Sequence, residues 1–279
     1  MSLIIYDLQN FKKNNVLKID NCTNSTINIY ENEFIYQFFS IGKNSKSKNI
    51  NKSLEEYLYK YEYVKYCINF STYIELKPFV KNLDPTEKML IGYQLGMAVT
   101  KFFSNRIFKY KNLYYVSSEK FKTGKGTYDF VSQNTNGYSI FEAKGSTNKN
   151  SKNQKALNQL SSPHLVNNQH PIYKIAVLQG FNANNQMTAK IIDPSIDDGD
   201  NINIEEKDCE FLKIKLLIEN AFKQYETHIK TLRKIQVKYI VVNNVELGLV
   251  NPSQLNIDIR HSGEDYFISK DGIYIKKIY

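Results

Sequence analysis

The sequence predicts a mixed α/β fold, and three observations support this prediction. Asp84-Pro85-Thr86-Glu87 is a helix start, with an N-cap aspartate, a proline at the first helical position and a capping-box glutamate. Two strand-like segments flank a polar, Asn/Gly-rich connection at residues 132–137, as in a β-hairpin. Residues 172–178 are nearly all apolar, as is typical of a buried central strand. Helices packed on a largely buried sheet would account for all three patterns.

Residues 1–80 are predicted to form an N-terminal α+β region. Residues 25–40 are interpreted as one or two strands. Residues 53–68 contain tyrosines that alternate as in a strand, but they also contain a helical stripe formed by Leu54, Leu58, Tyr61 and Val64. Ser53 and Glu56 have the spacing of a capping box, which favours the helix. The tyrosines could stack on nucleobases or belong to the core, and the region could serve recognition or dimerisation.

Residues 81–192 are predicted to contain a helix, three strands, a second helix and a further strand, in that order. The first helix should end near residue 103, with one face formed by Met89, Gly92, Gly96, Val99 and Phe103. The two glycines on that face would allow the helix to lie close to a sheet. The three strands are expected at residues 113–117 and on both sides of the predicted hairpin turn. The second helix is expected at residues 153–161.

The acidic residues 193–208 are interpreted as a linker to a C-terminal region at residues 209–279. Residues 209–235 have the pattern of one long amphipathic helix, whose apolar side would consist of Ile214, Leu217, Ile218, Ala221, Tyr225, Ile229 and Leu232. This helix would pack on the core or on a second subunit, so a homodimer is one expectation. The rest should form an antiparallel sheet with turns at Asn243-Asn244 and Asp271-Gly272.

Composition indicates the kind of partner and the compartment. The formal net charge is +9, and residues 81–192 contain 15 Lys and Arg against 5 Asp and Glu. Such local positive charge indicates a polyanion such as nucleic acid, although an anionic membrane would also be attracted. Three widely spaced cysteines form no metal or disulfide pattern, which favours a reducing compartment. With no signal peptide pattern and no apolar run approaching the ~20 residues of a membrane span, we expect a soluble cytoplasmic protein without a membrane partner.

Two carboxylates and a lysine mark the predicted hairpin. Asp129 follows Gly126-Thr127-Tyr128, and Glu142-Ala143-Lys144 ends the second strand. Adjacent antiparallel strands would bring Asp129 and Glu142 side by side, with Lys144 on the same face as Glu142. Paired carboxylates are ligands for hard cations, and Mg²⁺ is usually held by one or two of them plus phosphate oxygens. A lysine beside them can orient a water molecule or offset negative charge on a phosphate.

This arrangement resembles the PD-(D/E)XK nuclease superfamily, with the resemblance covering roughly residues 84–180. It implies a restriction-endonuclease-like core and a Mg²⁺-dependent nuclease, with Mn²⁺ as an alternative metal, that acts on DNA as an endonuclease. Asp129, Glu142 and the backbone carbonyl of Ala143 would hold the metal, and Lys144 would lie at the attacking water. A helix before the first core strand often adds a carboxylate in this superfamily, which makes Glu87 a further candidate ligand. The competing interpretation is that Glu87 only caps its helix.

The resemblance also implies residues that would contact nucleic acid. Phosphate contacts are expected from basic residues in the loop before Asp129 and after Gly145, namely Lys122, Lys125, Lys149, Lys152 and Lys155. Gln154 and Gln159 are candidates because the exonuclease branch has a Gln-x-x-x-Tyr pattern on the corresponding helix. The tyrosine is absent here, since Asn158 and Pro163 occupy the two positions where it would stand. This departure puts the exonuclease branch in doubt more than the nuclease class.

Two other classes of function remain open at this point. Glu-x-Lys occurs three times in the chain, and the pattern at Glu142 is also that of an exposed ion pair across a hairpin. The chain could therefore be a nuclease-like module that binds nucleic acid without cutting it. It could also be a protein-binding or immunity-type partner whose basic surface meets an acidic protein. The choices between DNA and RNA, between endonuclease and exonuclease, and between a restriction, phage-defence, toxin or repair setting are not specified by these patterns.

Overall fold

The structure is a computed structural model that describes residues 1–9, 25–39, 50–108, 112–116, 128–134, 137–148, 153–161, 164–193, 200–202, 210–232, 234–251, 261–262, 265–269 and 271–279. Its described part is a mixed α/β protein with several sheets. The described elements of the N-terminal region are β1 (Ser2–Gln9), β2 (Ser25–Ile29), α1 (Glu31–Phe38), α2 (Ile50–Cys67), β3 (Ile68–Phe70) and β4 (Ile74–Leu76). One turn of 3₁₀-helix, Pro78–Asn82, leads to the next helix.

The middle of the chain contains the predicted helix, three strands, helix and strand in the predicted order, together with three strands that were not predicted. They are α3 (Pro85–Arg106), β5 (Asn112–Tyr115), β6 (Phe130–Asn134), β7 (Gly137–Gly145), α4 (Asn153–Ser161), β8 (His164–Val166), β9 (Tyr173–Phe181), β10 (Met187–Ile192) and β11 (Asp200–Ile202). Seven strands form one mixed sheet with the order β2-β1-β10-β9-β7-β6-β5. Two of its pairs are parallel, β7 with β9 and β1 with β10. The strands that were not predicted are β8, β10 and β11, of which β8 and β11 pair separately.

Strand β9 lies at the centre of this sheet, and its apolar sequence follows from that position. Ile175, Val177 and Phe181 belong to the larger hydrophobic core, whereas Ala176 and Leu178 belong to a second core on the opposite face. Helix α3 packs on β7 and β9 from the first side, and α4 contributes Ala156 and Leu160 to the second core. A strand buried on both faces is mostly apolar, as the sequence predicts, although Lys174 and Gln179 of β9 are buried polar residues.

Helix α3 begins as predicted and lies unusually close to the sheet. The Asp84 carboxylate accepts from the backbone N–H groups of Thr86 and Glu87, completing the capping box. A Cβ atom added at Gly145 would lie 1.7 Å from the Gly92 carbonyl oxygen. The two backbones therefore meet without side chains between them. Met89 is an exception to the predicted buried face, since it is 62% exposed and the fully buried part of the helix begins only at Ile91.

The prediction for residues 25–40 is half wrong. Strand β2 is present, but residues 31–38 form α1 rather than a second strand. The helix places Phe34, Ile35 and Phe38 in the core at helical spacing, with Glu31 and Glu33 in its first turn, where they favour the helix dipole. Because the segment is buried on nearly every side, apolar alternation is a poor guide to its structure.

The preferred interpretation of residues 53–68 as a helix is confirmed. The predicted stripe of Leu54, Leu58, Tyr61 and Val64 is buried. Helix α2 begins at Ile50, however, so the Ser53 and Glu56 pair does not mark its start. Tyr57 and Tyr63 pack against the core, which leaves Tyr59 as the strongly exposed member of the four alternating tyrosines.

The C-terminal region contains a shorter helix than predicted. Its described elements are α5 (Glu210–Ala221), β12 (His228–Leu232), β13 (Ile235–Val242), β14 (Val245–Val250), β15 (His261–Ser262), β16 (Phe267–Ile268) and β17 (Ile273–Lys277). Residues 228–232 were expected in the helix but pair with β13 instead. Ile229 and Thr231 are β-branched, which favours a strand. Pairing with β13 outweighs the helical spacing of the apolar residues, which continues past α5 by coincidence.

The six C-terminal strands form an antiparallel sheet, as predicted, with the order β12-β13-β14-β17-β16-β15. Asn243 and Asn244 both have positive φ, and Gly272 has φ +81°, so the two predicted turns are present. Ile240, Leu247 and Ile275 from this sheet join the larger core together with Phe34 and Val99. No helix among the described residues is long and apolar enough to span a membrane.

Candidate functional site

The β6–β7 hairpin places Asp129 across from the segment of β7 that contains Phe141, Glu142 and Ala143. Phe130 pairs with Phe141, and the backbone N–H of Asp129 donates to the Phe141 carbonyl at 3.1 Å. Asp129 is the last residue before β6, and its backbone carbonyl accepts a hydrogen bond at 3.0 Å from the N–H of Val116, which follows the neighbouring strand β5. The predicted juxtaposition of the two carboxylate-bearing residues is therefore present.

The next hydrogen bond between Asp129 and β7 is made by the Asp129 side chain and not by its backbone. Its Oδ2 accepts a hydrogen bond from the backbone N–H of Ala143 at 2.8 Å. In an antiparallel pair the N–H and C=O of one residue point toward the same neighbouring strand. The carbonyl of Ala143 therefore faces the side on which Asp129 lies, which is the arrangement that a shared metal would require.

Glu142 and Lys144 lie on the same face of β7 and form an ion pair. Lys144 Nζ contacts Glu142 Oε1, and Glu142 is 1% exposed while the Lys144 side chain is 20% exposed. The pair runs along one strand and is largely buried, unlike the exposed ion pair across a hairpin that was the competing interpretation. Lys144 has its ammonium near the surface, whereas Glu142 lies beneath it.

The charged groups at the site carry a net negative charge that a bound cation would offset. Burial raises the pKa of Asp129 to about 6, and the Ala143 N–H and the Lys144 ammonium lower it by less. Two carboxylates and one ammonium carry a net charge of −1 when all are ionised. A bound cation would remove this excess and would return the pKa of Asp129 toward its ordinary value.

The oxygen atoms at the site suit a hard divalent cation, with the protein supplying only part of its ligands. Asp129, Glu142 and the Ala143 carbonyl supply oxygen atoms only, which suits Mg²⁺ and Mn²⁺. No cluster of three or more His, Cys, Asp or Glu side chains suited to a metal occurs in the part of the chain that the structure describes. Other ligand positions would therefore fall to water and substrate oxygens, as is usual for Mg²⁺.

Glu87 has a clear local role in the structure. Its Oε2 accepts from the backbone N–H of Asp84 at 3.2 Å, which is the reciprocal half of the capping box. The backbone donors of Thr86 and Glu87 in turn lower the pKa of Asp84. Glu87 is exposed on the first turn of α3. These contacts show that Glu87 caps the N-terminus of α3.

The expected phosphate contacts fall largely outside the described residues. Lys122, Lys125, Lys149 and Lys152 belong to the parts of the chain that the structure does not describe. Gln154 and Lys155 lie in the first turn of α4 by their backbone positions. Gln159 is half-buried on the same helix. Only the placement of α4 against β7 and β9 bears on these residues.

The sequence analysis missed two tyrosines that lie beside the site. A side-chain hydrogen bond joins Tyr93 of α3 to Tyr115 at the end of β5. Burial, followed by the negative charges of Tyr115, Asp129 and Glu142, raises the pKa of Tyr93. Tyr93 follows Gly92, which already touches the strand that carries Lys144. That glycine spacing was the one signal in the sequence that pointed to this position.

Comparison with known proteins adds no relative. No family model matches the chain, no curated protein is similar to it, and no solved structure matches it. The functional argument therefore depends on the geometry of the site.

Proposed function

We propose that this chain is a metal-dependent nuclease of the PD-(D/E)XK, restriction-endonuclease-like class, which hydrolyses DNA phosphodiester bonds. The observation that carries the proposal is the set of Asp129, Glu142 and Lys144, held together by the β6–β7 hairpin around one backbone amide. The order of α3, β5, β6, β7, α4 and β9 supports it, because this class has the same order in its core. Fold alone would not suffice, since one fold serves many functions.

Each residue of the set has a distinct role in the proposed reaction. A bound Mg²⁺ or Mn²⁺ would polarise the scissile phosphate and favour ionisation of water. Asp129 is oriented by the Ala143 N–H, so its other oxygen is directed away from the ladder. Glu142 holds the Lys144 ammonium at the surface, where it can donate hydrogen bonds to a water molecule or to a phosphate oxygen. Because Glu142 is buried, the lysine has a fixed anchor.

The charge distribution supports a nucleic-acid substrate. Residues 81–192 contain 15 basic residues against 5 acidic ones, and the candidate site within this segment is itself acidic. A polyanion would be attracted to the surroundings and would still meet carboxylates that require a cation. An acidic protein partner would also be attracted to the basic residues, but it would not account for carboxylates that require a cation.

The deciding experiment incubates the purified protein with linear and circular DNA, each single-stranded and double-stranded, in Mg²⁺, in Mn²⁺ and in EDTA. We expect metal-dependent cleavage of linear and circular DNA alike, which identifies an endonuclease. Absence of products with either metal, or equal products in EDTA, would refute the proposal. Salt-dependent DNA binding without any cleavage would instead favour the nuclease-like binding module, and binding to acidic protein but not to DNA would favour the partner protein.

A further inference from the structure

One exposed strip of α3 runs past the candidate site. Pro85, Met89 and Tyr93 are spaced four residues apart, so they lie on the same side of the helix. Met89 is 62% exposed and Tyr93 is 40% exposed, although the helix is buried from Ile91 onward on its other sides. We call these three residues the α3 strip.

The lower half of the strip borders a cavity that begins where the site ends. The cavity has a volume of about 350 Å³ and is lined on the helix side by Pro85, Lys88 and Met89, and on the strand side by residues 145–148. Residue 145 directly follows Lys144 on β7. Because consecutive strand residues face opposite sides of a sheet, the cavity lies on the α3 side, at the end of the strand that carries Lys144. Lys88 would give the occupant one positive charge.

The upper half of the strip is fixed beside Asp129. The hydrogen bond between Tyr93 and Tyr115 anchors the Tyr93 phenol. The Tyr115 ring packs edge-on against Phe130 at 5.9 Å between centroids. The neighbouring Val116 donates its backbone N–H to the Asp129 carbonyl at 3.0 Å. The Tyr93 ring is thus an exposed aromatic surface whose position is set by the same strands that set the carboxylate.

We infer that the α3 strip binds unpaired nucleotides, with a base stacked on Tyr93 and the strand continuing over Met89 toward the cavity. The inference rests on the proposed nuclease function and names its substrate class as a single-stranded or frayed strand. A duplex hides the faces of its bases, so an aromatic ring at the cleavage point has a partner only where bases are unpaired. Base–aromatic stacking accepts any base, so this contact would carry little sequence preference of its own.

The matched control is Tyr59, an exposed tyrosine on α2 that lies outside the strip. It is 69% exposed, more than Tyr93. If exposed tyrosines of this chain bound bases indiscriminately, replacing Tyr59 would weaken binding as much as replacing Tyr93. The inference assigns the effect to Tyr93 alone, because only Tyr93 is anchored next to the carboxylates.

The test measures fluorescence anisotropy of a labelled single-stranded DNA oligonucleotide and of its blunt duplex, in EDTA so that no cleavage occurs. Tyr93→Leu should weaken binding of the single strand at least about fivefold, the lower end of the cost of losing one base–aromatic stack. Binding of the duplex should stay nearly unchanged. Tyr93→Phe, which keeps the ring and loses the hydroxyl, should retain most of the affinity, and Tyr59→Leu should have no effect on either probe.

Equal losses for both probes, or an effect of Tyr59→Leu as large as that of Tyr93→Leu, would overturn the inference. Circular dichroism of each variant excludes unfolding as the cause. The proposed nuclease fails independently, because its test is metal-dependent cleavage. Selective loss of single-strand binding without any cleavage would retain the binding strip and reject the nuclease, whereas cleavage restricted to duplex DNA would do the reverse.

Discussion

Two lysine–glutamate pairs in this protein have similar local chemistry and different surroundings. Lys144 contacts Glu142 on β7, at the end of the β6–β7 hairpin. Lys230 contacts Glu246 across the C-terminal sheet, from β12 to β14. In both pairs the glutamate is the more buried partner, at 1% and 13% side-chain exposure, while the lysines are 20% and 22% exposed. Burial of the pair alone therefore does not distinguish a structural pair from a functional one.

The surroundings of Lys230 balance its charge. Its ammonium lies 4.3 Å from the centroid of the Tyr239 ring and 4.8 Å from that of Tyr274. Glu246 Oε2 also accepts a hydrogen bond from the Tyr274 hydroxyl at 2.6 Å. Burial and then the hydrogen bond to Glu246 raise the pKa of Tyr274, so the phenol stays a donor. One cation and one anion are thus enclosed by rings that favour the cation.

The surroundings of Lys144 leave a negative excess. Asp129 adds a second carboxylate beside Glu142, and the group that approaches it most closely is the neutral Ala143 amide. Burial raises the pKa of Asp129, and the Ala143 N–H and the Lys144 ammonium offset this only in part. A pair whose charges cancel is complete within the fold, whereas a pair with an uncompensated neighbour gains from a ligand of opposite charge. This difference separates the candidate site from the C-terminal pair.

The largest effect is expected from Lys144→Ala, measured as DNA cleavage. Loss of the ammonium should lower the rate by about 10²- to 10⁴-fold, the usual range for a group that assists proton transfer at the reacting centre. Initial rates in saturating Mg²⁺ would measure this. Lys230→Ala is the matched control, because it removes an equally buried ammonium from the balanced pair and should retain the rate at temperatures where it is folded. A near-normal rate for Lys144→Ala would remove the lysine from the mechanism.

The next largest effect is a loss of stability in Lys230→Ala. This change leaves the Glu246 carboxylate without its cation and removes both ring contacts, which should cost about 2–3 kcal/mol. Urea or thermal unfolding followed by circular dichroism would measure the change. Lys238→Ala serves for comparison, because that lysine is exposed, lies over the Phe222 ring at 4.8 Å and forms no ion pair with the residues that the structure describes. Equal losses in the two variants would show that the pair with Glu246 contributes nothing of its own.

Local signals in the sequence predicted much of this structure. The capping box at Asp84, the apolar run of β9 and the hairpin before Glu142 depend on residues close in the chain, and all three are confirmed. The same is true of the turns at Asn243 and Gly272. Each of these signals has one dominant physical cause, so no tertiary contact was needed to interpret it.

The errors and omissions have a common origin in tertiary contacts. Residues 31–38 and 228–232 were misassigned because burial on all sides and pairing with β13 outweighed their local patterns. Tyr93 was missed because its neighbour Tyr115 is 22 positions away and joined to it only by the packing of α3 on the sheet. The raised pKa of Asp129 likewise depends on burial, which a residue pattern does not contain.

The third prediction concerns Asp129→Asn and the pH dependence of stability without metal. The pKa of Asp129 is raised in the folded protein to about 6 from its ordinary value of 3.8. A raised carboxyl pKa means that the folded state is favoured below pH ~4 and that this contribution is lost as the pH rises through about 6. The metal-free wild type should therefore lose roughly 2–3 kcal/mol from this group between pH 4 and 7. The variant lacks the titrating group, and its amide oxygen can still accept from the Ala143 N–H.

Unfolding of both proteins at pH 5 and pH 7.5, in EDTA and in Mg²⁺, would measure these differences. In EDTA the variant should be the more stable protein at pH 7.5, and its advantage should shrink at pH 5. Magnesium should reverse the order at pH 7.5, because a ligand that binds only the folded state stabilises it in proportion to its affinity. The reversal is the decisive result, since relief of charge repulsion alone would leave the variant ahead in both buffers. If Mg²⁺ stabilises the wild type no more than the variant, Asp129 is not a metal ligand, and the Lys144 pair would then be as structural as that of Lys230.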